Sequence, residues 1–293
     1  MKRLLLIINP SAGKSALRSQ LIEVIDTFTK GDYEVTAVVT QSKRHFSQTV
    51  RENAEKHDIV VCCGGDGTLN MTVNELASVE KKPMLGYIPC GTTNDFAKTR
   101  GISSVPLNAA RQIIEGEERG IDVGFFGKKT YVYVAAFGVF SDVSYATPSQ
   151  MKQNIGHAAY VLEGVKSLVK KNEFSAKFRI DGKTVEGDFV YGMVSNTRRI
   201  GGFELPIISD FTIDDGLLDI ILIKSPKAPE DHTKLFNALI MQQEDNEMVY
   251  KFRASSLSYE STNEIPWTLD GEYGGSLKRQ RISVRKKFLT MIY

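Results

Sequence analysis

Apolar and polar positions alternate along this chain with two different periods. Leu4 to Ile8 is a continuous apolar run, which predicts a strand covered on both faces. Leu17, Leu21, Ile22, Val24, Ile25 and Phe28 then follow helical spacing and predict one buried helical side. Tyr33 to Thr40 alternates as a second strand, and residues 46–57 read as a polar amphipathic helix. Residues 58–63 and 83–88 predict two more buried strands. A helix striped by Leu69, Val73 and Leu76 follows the first, and a helix over residues 105–115 follows the second. Strand and helix thus alternate four times with short connections, the pattern of a doubly wound parallel sheet.

The period changes near Gly120-Ile121-Asp122. Beyond it strands dominate, at 131–137, 174–181, 184–195, 217–223, 256–260, 265–270 and 281–285. Asp181-Gly182 and Asp270-Gly271 punctuate them as turns. Two helices interrupt, over 156–171 and 229–241. The expectation is an α/β domain over residues 1–122 and a mainly antiparallel β-sandwich over 123–287. Residues 288–293 are free to pair with either.

Composition narrows the class. Of 293 residues, 42% are hydrophobic and 25% charged, as in an ordinary globular protein. The net charge is +2, so nothing calls for a nucleic-acid partner. The opening apolar run stops at Asn9-Pro10, too early for a secretory leader, and no run approaches a membrane span. Cys62, Cys63 and Cys90 have no metal-ligand spacing and sit at strand ends. They are expected to be reduced, buried thiols of a cytoplasmic protein.

The candidate chemistry lies where strands end. Gly64-Gly65-Asp66-Gly67-Thr68-Leu69-Asn70 has three glycines in four residues between a strand and a helix, with Thr68 as the expected N-cap. Such a junction turns backbone N–H groups and a positive helix end toward an anion, usually phosphate. A carboxylate there suits phosphate only with a metal ion between them, which makes Asp66 a candidate for Mg²⁺–nucleotide chemistry. Pro89-Cys90-Gly91-Thr92-Thr93-Asn94-Asp95-Phe96-Ala97 is a second such junction, and Asn9-Pro10-Ser11-Ala12-Gly13-Lys14-Ser15 a third. The third ends like a Walker A loop, but Ile8 stands where that motif needs its first glycine, so a looser phosphate-facing loop is expected. All three fall on one sheet edge. Lys14, Arg18, Arg198 and Arg199 are candidates for phosphates or anionic headgroups. No histidine is given a role, and Trp267 reads as core.

Taken with Leu269-Asp270-Gly271-Glu272 and Asp214-Asp215-Gly216-Leu217-Leu218-Asp219, these motifs make the chain resemble the diacylglycerol kinase catalytic family. The likeness is greatest to soluble bacterial lipid kinases, relatives of sphingosine and ceramide kinases, and it covers nearly the whole chain. It implies a nucleotide-binding domain of phosphofructokinase or NAD kinase type, a β-sandwich, and a cleft between them. It also implies ATP, Mg²⁺ and transfer of the γ-phosphoryl group to a lipid hydroxyl, with diacylglycerol giving phosphatidic acid. Carried over by residue, the nucleotide contacts are Asn9, Pro10, Ser11, Ala12, Gly13, Thr40, Gly64, Gly65, Asp66, Gly67, Thr68, Leu69, Asn70 and Thr92. Asp66 and Asp95 correspond to the acceptor or metal-network carboxylates and Glu272 to the general base. A structural Mg²⁺ site corresponds to Thr212, Asp215 and the Leu217 carbonyl. The spacing between Pro206 and Asp215 departs from the family pattern, which bears on Thr212 more than on Asp215. The expected partner is a lipid at the inner membrane surface, visited peripherally, and a homodimer is allowed. Two alternatives stay open. One is an NAD kinase-like enzyme, which shares Gly-Gly-Asp-Gly. The other is a lipid-binding regulatory protein with little turnover.

Overall fold

The structure is a computed structural model that describes residues 1–11, 16–138, 173–197, 199–200, 203–204, 212–240 and 247–293. The helix expected over 156–171 lies outside the described residues.

The first half alternates as its periodicity predicts. The elements are β1 (Lys2–Ile8), α1 (Ala16–Lys30), β2 (Tyr33–Val39), α2 (Lys43–Asn53), β3 (Ile59–Gly64), α3 (Asp66–Ala77), β4 (Met84–Pro89), α4 (Asp95–Arg100) and α5 (Pro106–Glu115). The four strands are parallel, in the order β2-β1-β3-β4. Helices α1 and α5 pack together, as do α2 and α3. Leu4 to Ile7 and Ile59 to Cys63 are buried throughout, so these strands carry no polar face. Cys62 and Cys63 are buried within β3 and Cys90 is half-buried, and all three are free thiols. Burial pushes the Cys62 thiol up to about 12.

Two local expectations fail. Ile22 is 83% exposed. At 100° per residue it falls outside the stripe formed by Leu17, Leu21, Val24, Ile25 and Phe28. Thr68 is not the N-cap of α3. The helix begins at Asp66, with Gly65 as an extended N-cap. Thr68 sits inside the first turn, with its N–H on the Gly65 carbonyl.

The second half comprises β5 (Glu118–Phe126), β6 (Lys129–Tyr131), β7 (Val134–Gly138), β8 (Phe174–Ile180), β9 (Lys183–Ser195), β10 (Arg199–Ile200), β11 (Phe203–Glu204) and β12 (Leu218–Lys224). A helix over Pro229–Ile240 follows, then β13 (Val249–Ala254), β14 (Ser256–Leu269) and β15 (Glu272–Ile292). The pairings are antiparallel. Both β9 and β14 pair with β7 along one part and with β8 along another, so the two layers share strands. Inside, Phe137, Phe178, Phe189, Tyr259 and Trp267 form the aromatic centre of a second hydrophobic core. The Trp267 indole N–H donates to the Tyr259 hydroxyl at 2.9 Å, which completes a buried tryptophan.

The long strand β15 joins the halves. It begins beside β14, runs against β5, and ends parallel to β4, with Met291 opposite Leu85. Its register shifts between Arg285 and Leu289. There Lys287 has φ 48° and donates its N–H to Asp122 at 2.7 Å.

Candidate active site

The carboxyl ends of β1, β3 and β4 are stitched together by backbone. Asn9 N–H donates to the Cys63 carbonyl (3.1 Å), and Cys90 N–H to the Gly64 carbonyl (2.7 Å). The glycines are there for space. A Cβ on Gly64 would lie 2.3 Å from Thr68 Oγ1, and one on Gly91 2.6 Å from the Gly65 Cα. The two glycine loops therefore touch through bare backbone. The Asn9 amide donates to Thr68 Oγ1 (3.0 Å) and its Oδ1 accepts the Ser11 N–H (3.1 Å), which ties the first loop to the second. Thr40, at the end of β2, is buried, and its N–H and hydroxyl both donate to the Ile8 carbonyl. It secures this edge from the side.

Asp66 sits on the first turn of α3, and its carboxylate receives the N–H groups of Asp95 (3.0 Å) and Phe96 (3.3 Å). It therefore holds the start of α4 and orients the loop that carries Asp95. Burial lifts its pKa to about 6. The two N–H groups and Lys98 oppose that rise, and the neighbouring Asp95 charge adds to it. Asp95 is itself 2% exposed. Asn94, in the left-handed region at φ 50°, closes the loop by accepting from the Gly91 N–H (2.9 Å) and donating to the Gly91 carbonyl (2.8 Å). Thr92 stands exposed on that loop.

From the second half, the turn Asp270-Gly271 between β14 and β15 reaches the same edge. Asp270, 4% exposed, accepts the N–H groups of Val132 (2.7 Å), Tyr133 (3.0 Å) and Val134 (2.9 Å) and the side-chain amide of Asn70 (2.6 Å). Diverting those N–H groups breaks the single strand expected over 131–137 into β6 and β7. Burial raises the Asp270 pKa to about 6 against these four donors. Two residues on, Glu272 is 61% exposed and pairs with Lys43 at 3.0 Å. Its Oε1 lies 3.7 Å from where a Cβ on Gly67 would be. A carboxylate of the second half thus overhangs the glycine loop of the first.

Residues 3–126 match the diacylglycerol kinase catalytic domain, and residues 134–293 match the YegS C-terminal NAD kinase beta sandwich-like domain. The diacylglycerol kinase of Bacillus subtilis (strain 168) is 31% identical over 286 residues, which span 97% of this chain and 94% of that protein. The diacylglycerol kinase of Staphylococcus carnosus (strain TM300) is 30% identical over 287 residues, spanning 97% and 93%. The crystal structure of a diacylglycerol kinase from Bacillus anthracis str. Sterne superposes with a TM-score of 0.77 at 26% identity, covering 100% of this chain and 97% of that one. This chain belongs to the diacylglycerol kinase catalytic family. It is a phosphotransferase with an alcohol acceptor. Its first region is mixed α/β and its second is β-rich. No helix among its described residues is long and apolar enough to cross a membrane.

Within this kinase the remaining expected residues are placed as follows. Pro10 and Ser11 lie on the first loop, while Ala12, Gly13, Lys14 and Arg198 lie outside the described residues. Arg18 is exposed. Leu69 is fully buried and its N–H is bonded to the Gly65 carbonyl, so it serves the core. Asn70 faces Asp270 and the Thr130 carbonyl, both through its amide nitrogen.

The turn at Asp214-Asp215 is held by arginines. Asp214, at φ 58°, takes a two-pronged pair from Arg100 (2.7 and 2.8 Å) and the Asp122 N–H (2.8 Å). Arg100 also donates to the Tyr293 hydroxyl (3.1 Å). Asp215 accepts the Leu217 N–H (2.9 Å) and pairs with Arg253, which reaches Asp219 at 3.3 Å. Burial raises the Asp219 pKa to about 6, which Arg253 opposes and Asp215 reinforces. Thr212 is exposed. A Mg²⁺ ion at this turn would have to displace the guanidinium that already neutralises both carboxylates. As placed, Asp215 is engaged by Arg253 and the Leu217 N–H, so a structural Mg²⁺ here would compete with a guanidinium.

Sequence reading missed Asp270, Asn94 and the Arg100–Asp214 pair as site-forming residues. Asp270 and Asn94 lay inside the quoted motifs. Nothing in the sequence couples Arg100 to Asp214.

Proposed function

We propose that the protein is an ATP-dependent lipid kinase that transfers the γ-phosphoryl group to a lipid hydroxyl, with diacylglycerol as the acceptor and phosphatidic acid as the product. The observation that carries this reading is Glu272 overhanging Gly67. It sets a solvent-accessible carboxylate opposite the start of a helix whose Asp66 and Gly67 N–H groups have no hydrogen-bond partner among the described residues. Phosphoryl transfer is mainly positioning and charge neutralisation, and the two glycine loops supply the positioning. ATP arrives with Mg²⁺ as part of the substrate, and Asp66 and Asp95 are the carboxylates that the family resemblance assigns to that ion. The acceptor hydroxyl is a weak nucleophile, and Glu272 takes its proton. The enzyme works in the cytoplasm and visits the membrane surface peripherally. Anionic lipid attracts it to that surface.

The test is a kinase assay with ATP and a panel of lipids, read by mass spectrometry of the phosphorylated product, with NAD in a parallel arm. Phosphatidic acid as the main product supports the reading. Phosphorylated NAD would favour the NAD kinase-like alternative, to which the description of the second matched domain lends some support. Vesicle binding without transfer to any acceptor would favour a regulatory protein.

A further inference from the structure

The amide of Asn70 occupies an unusual place for a residue of a nucleotide loop. Its nitrogen donates to Asp270 Oδ2 at 2.6 Å and to the Thr130 carbonyl at 3.1 Å, so both of its protons are engaged. One helical turn later, Asn74 Oδ1 accepts the Thr130 N–H at 3.3 Å. Two asparagines on one face of α3 therefore grip the peptide groups on either side of Thr130. Asp270 collects the N–H groups of Val132, Tyr133 and Val134, and returns its own N–H to the Val134 carbonyl at 2.8 Å. Asn70 and Asp270 lie 200 residues apart in the chain. The bond between them is a direct side-chain link from the glycine-loop helix to the turn that carries Glu272.

We propose that Asn70 is a positioning residue: through Asp270 it sets the height of Glu272 above the glycine loop, and it is not a nucleotide ligand. The chain of contacts is short. Asn70 lies four residues beyond Asp66 on α3, so it moves with the loop that would hold the phosphates. Asp270 is in the left-handed region at φ 48°, fixed by four donors, Gly271 follows at φ 84°, and Glu272 opens the β14–β15 ladder opposite Leu269. The Glu272 carboxylate itself meets Lys43, which is exposed. The link therefore ties the hairpin tip that carries this carboxylate to the helix that carries the glycine loop. A misplacement of that carboxylate by about 1 Å can cost on the order of 10²-fold in rate. The expected loss in rate rests on Glu272 being the proton acceptor.

The experiment compares Asn70→Ala, Asn70→Asp, Glu272→Gln and the Asn70→Ala/Glu272→Gln double variant of the full chain, with ATP and diacylglycerol in mixed micelles. Asn70→Ala should lower kcat about 10- to 100-fold and leave the Kd for ATP within about twofold. In the Glu272→Gln background the same change should cost less than about threefold, because its route to the chemistry is already cut. Asn70→Asp places a second carboxyl against Asp270. Near pH 8 it should be at least as impaired as Asn70→Ala. Its activity relative to wild type should recover as pH falls and the pair comes to share one proton, which restores the hydrogen bond. A loss of ATP affinity that matches the loss in kcat would overturn the proposal, and so would losses that multiply in the double variant. Should Glu272→Gln keep full kcat, the assignment of Glu272 as base fails on its own. The pH profile then decides the link: acid recovery of Asn70→Asp upholds it, and a flat ratio overturns it.

Discussion

Two Asp-Gly turns of this molecule start from the same local chemistry and end in opposite states. Asp214 and Asp270 adopt φ 58° and 48°, and a glycine follows each, Gly216 after Asp215 at φ 86° and Gly271 directly at φ 84°. At the first turn every carboxylate meets an arginine: Asp214 meets Arg100, while Asp215 and Asp219 meet Arg253. At the second turn the buried Asp270 is met only by N–H groups, and Glu272 is left in solvent beside Gly67. A carboxylate neutralised by a buried guanidinium is a structural tie. A carboxylate held by backbone donors with a second, exposed carboxylate two residues on is a device for presenting charge. The dipeptide does not distinguish the two. The residues that fold against it do.

The largest effect should separate Glu272 from the tied carboxylates. Glu272→Gln should lower kcat about 10²–10⁴-fold, or about 3–5 kcal/mol of barrier, with ATP affinity unchanged. Asp66→Asn should weaken both kcat and the affinity for Mg²⁺–ATP. Steady-state kinetics and ATP titration on one lipid substrate check this. Near wild-type kcat for Glu272→Gln, with Asp66→Asn inactive but binding ATP normally, would exchange the two roles.

The tied turn should show itself in stability. Arg100 is 2% exposed and Asp214 14% at the side chain, so Arg100→Leu strands a largely buried carboxylate and should cost about 3–5 kcal/mol in urea unfolding. Replacing both residues with leucine should recover most of that loss. If the single and double variants were equally destabilised, the pair would not be acting as a pair.

Asp270 gives the comparison a pH signature. Its folded pKa of about 6 lies above the ordinary value of 3.8, so between these values the native state holds a proton that the unfolded chain has released. That contribution is fully present below about pH 4 and is lost as pH rises through about 6. It amounts to on the order of 3 kcal/mol. The unfolding free energy of wild type relative to Asp270→Asn should therefore fall by that amount between pH 4 and pH 7. A difference that stays level with pH would mean that the four donors hold the folded pKa at its ordinary value.

The smallest effect concerns Asp215. Its loss should cost about 1.5–3 kcal/mol through Arg253 and the Leu217 N–H. The drop in melting temperature should be the same with and without Mg²⁺. A Mg²⁺-dependent rise in the melting temperature of wild type that Asp215→Ala abolishes would restore a structural metal at this turn.

By itself the sequence determined the local elements and the first half's parallel order of alternation. Continuous apolar runs and helical stripes report burial directly, and residues such as Leu69, Val73 and Leu76 could not be satisfied otherwise. It also marked the glycine loops, because a missing side chain is visible in sequence even when its neighbour is not. Tertiary structure decided which carboxylates remain exposed. Asp270 lies 200 residues from Asn70, and Asp214 lies 114 residues from Arg100. No periodicity links such pairs. Which partners they meet depends on the elements that fold against them, and only the folded chain brings these together.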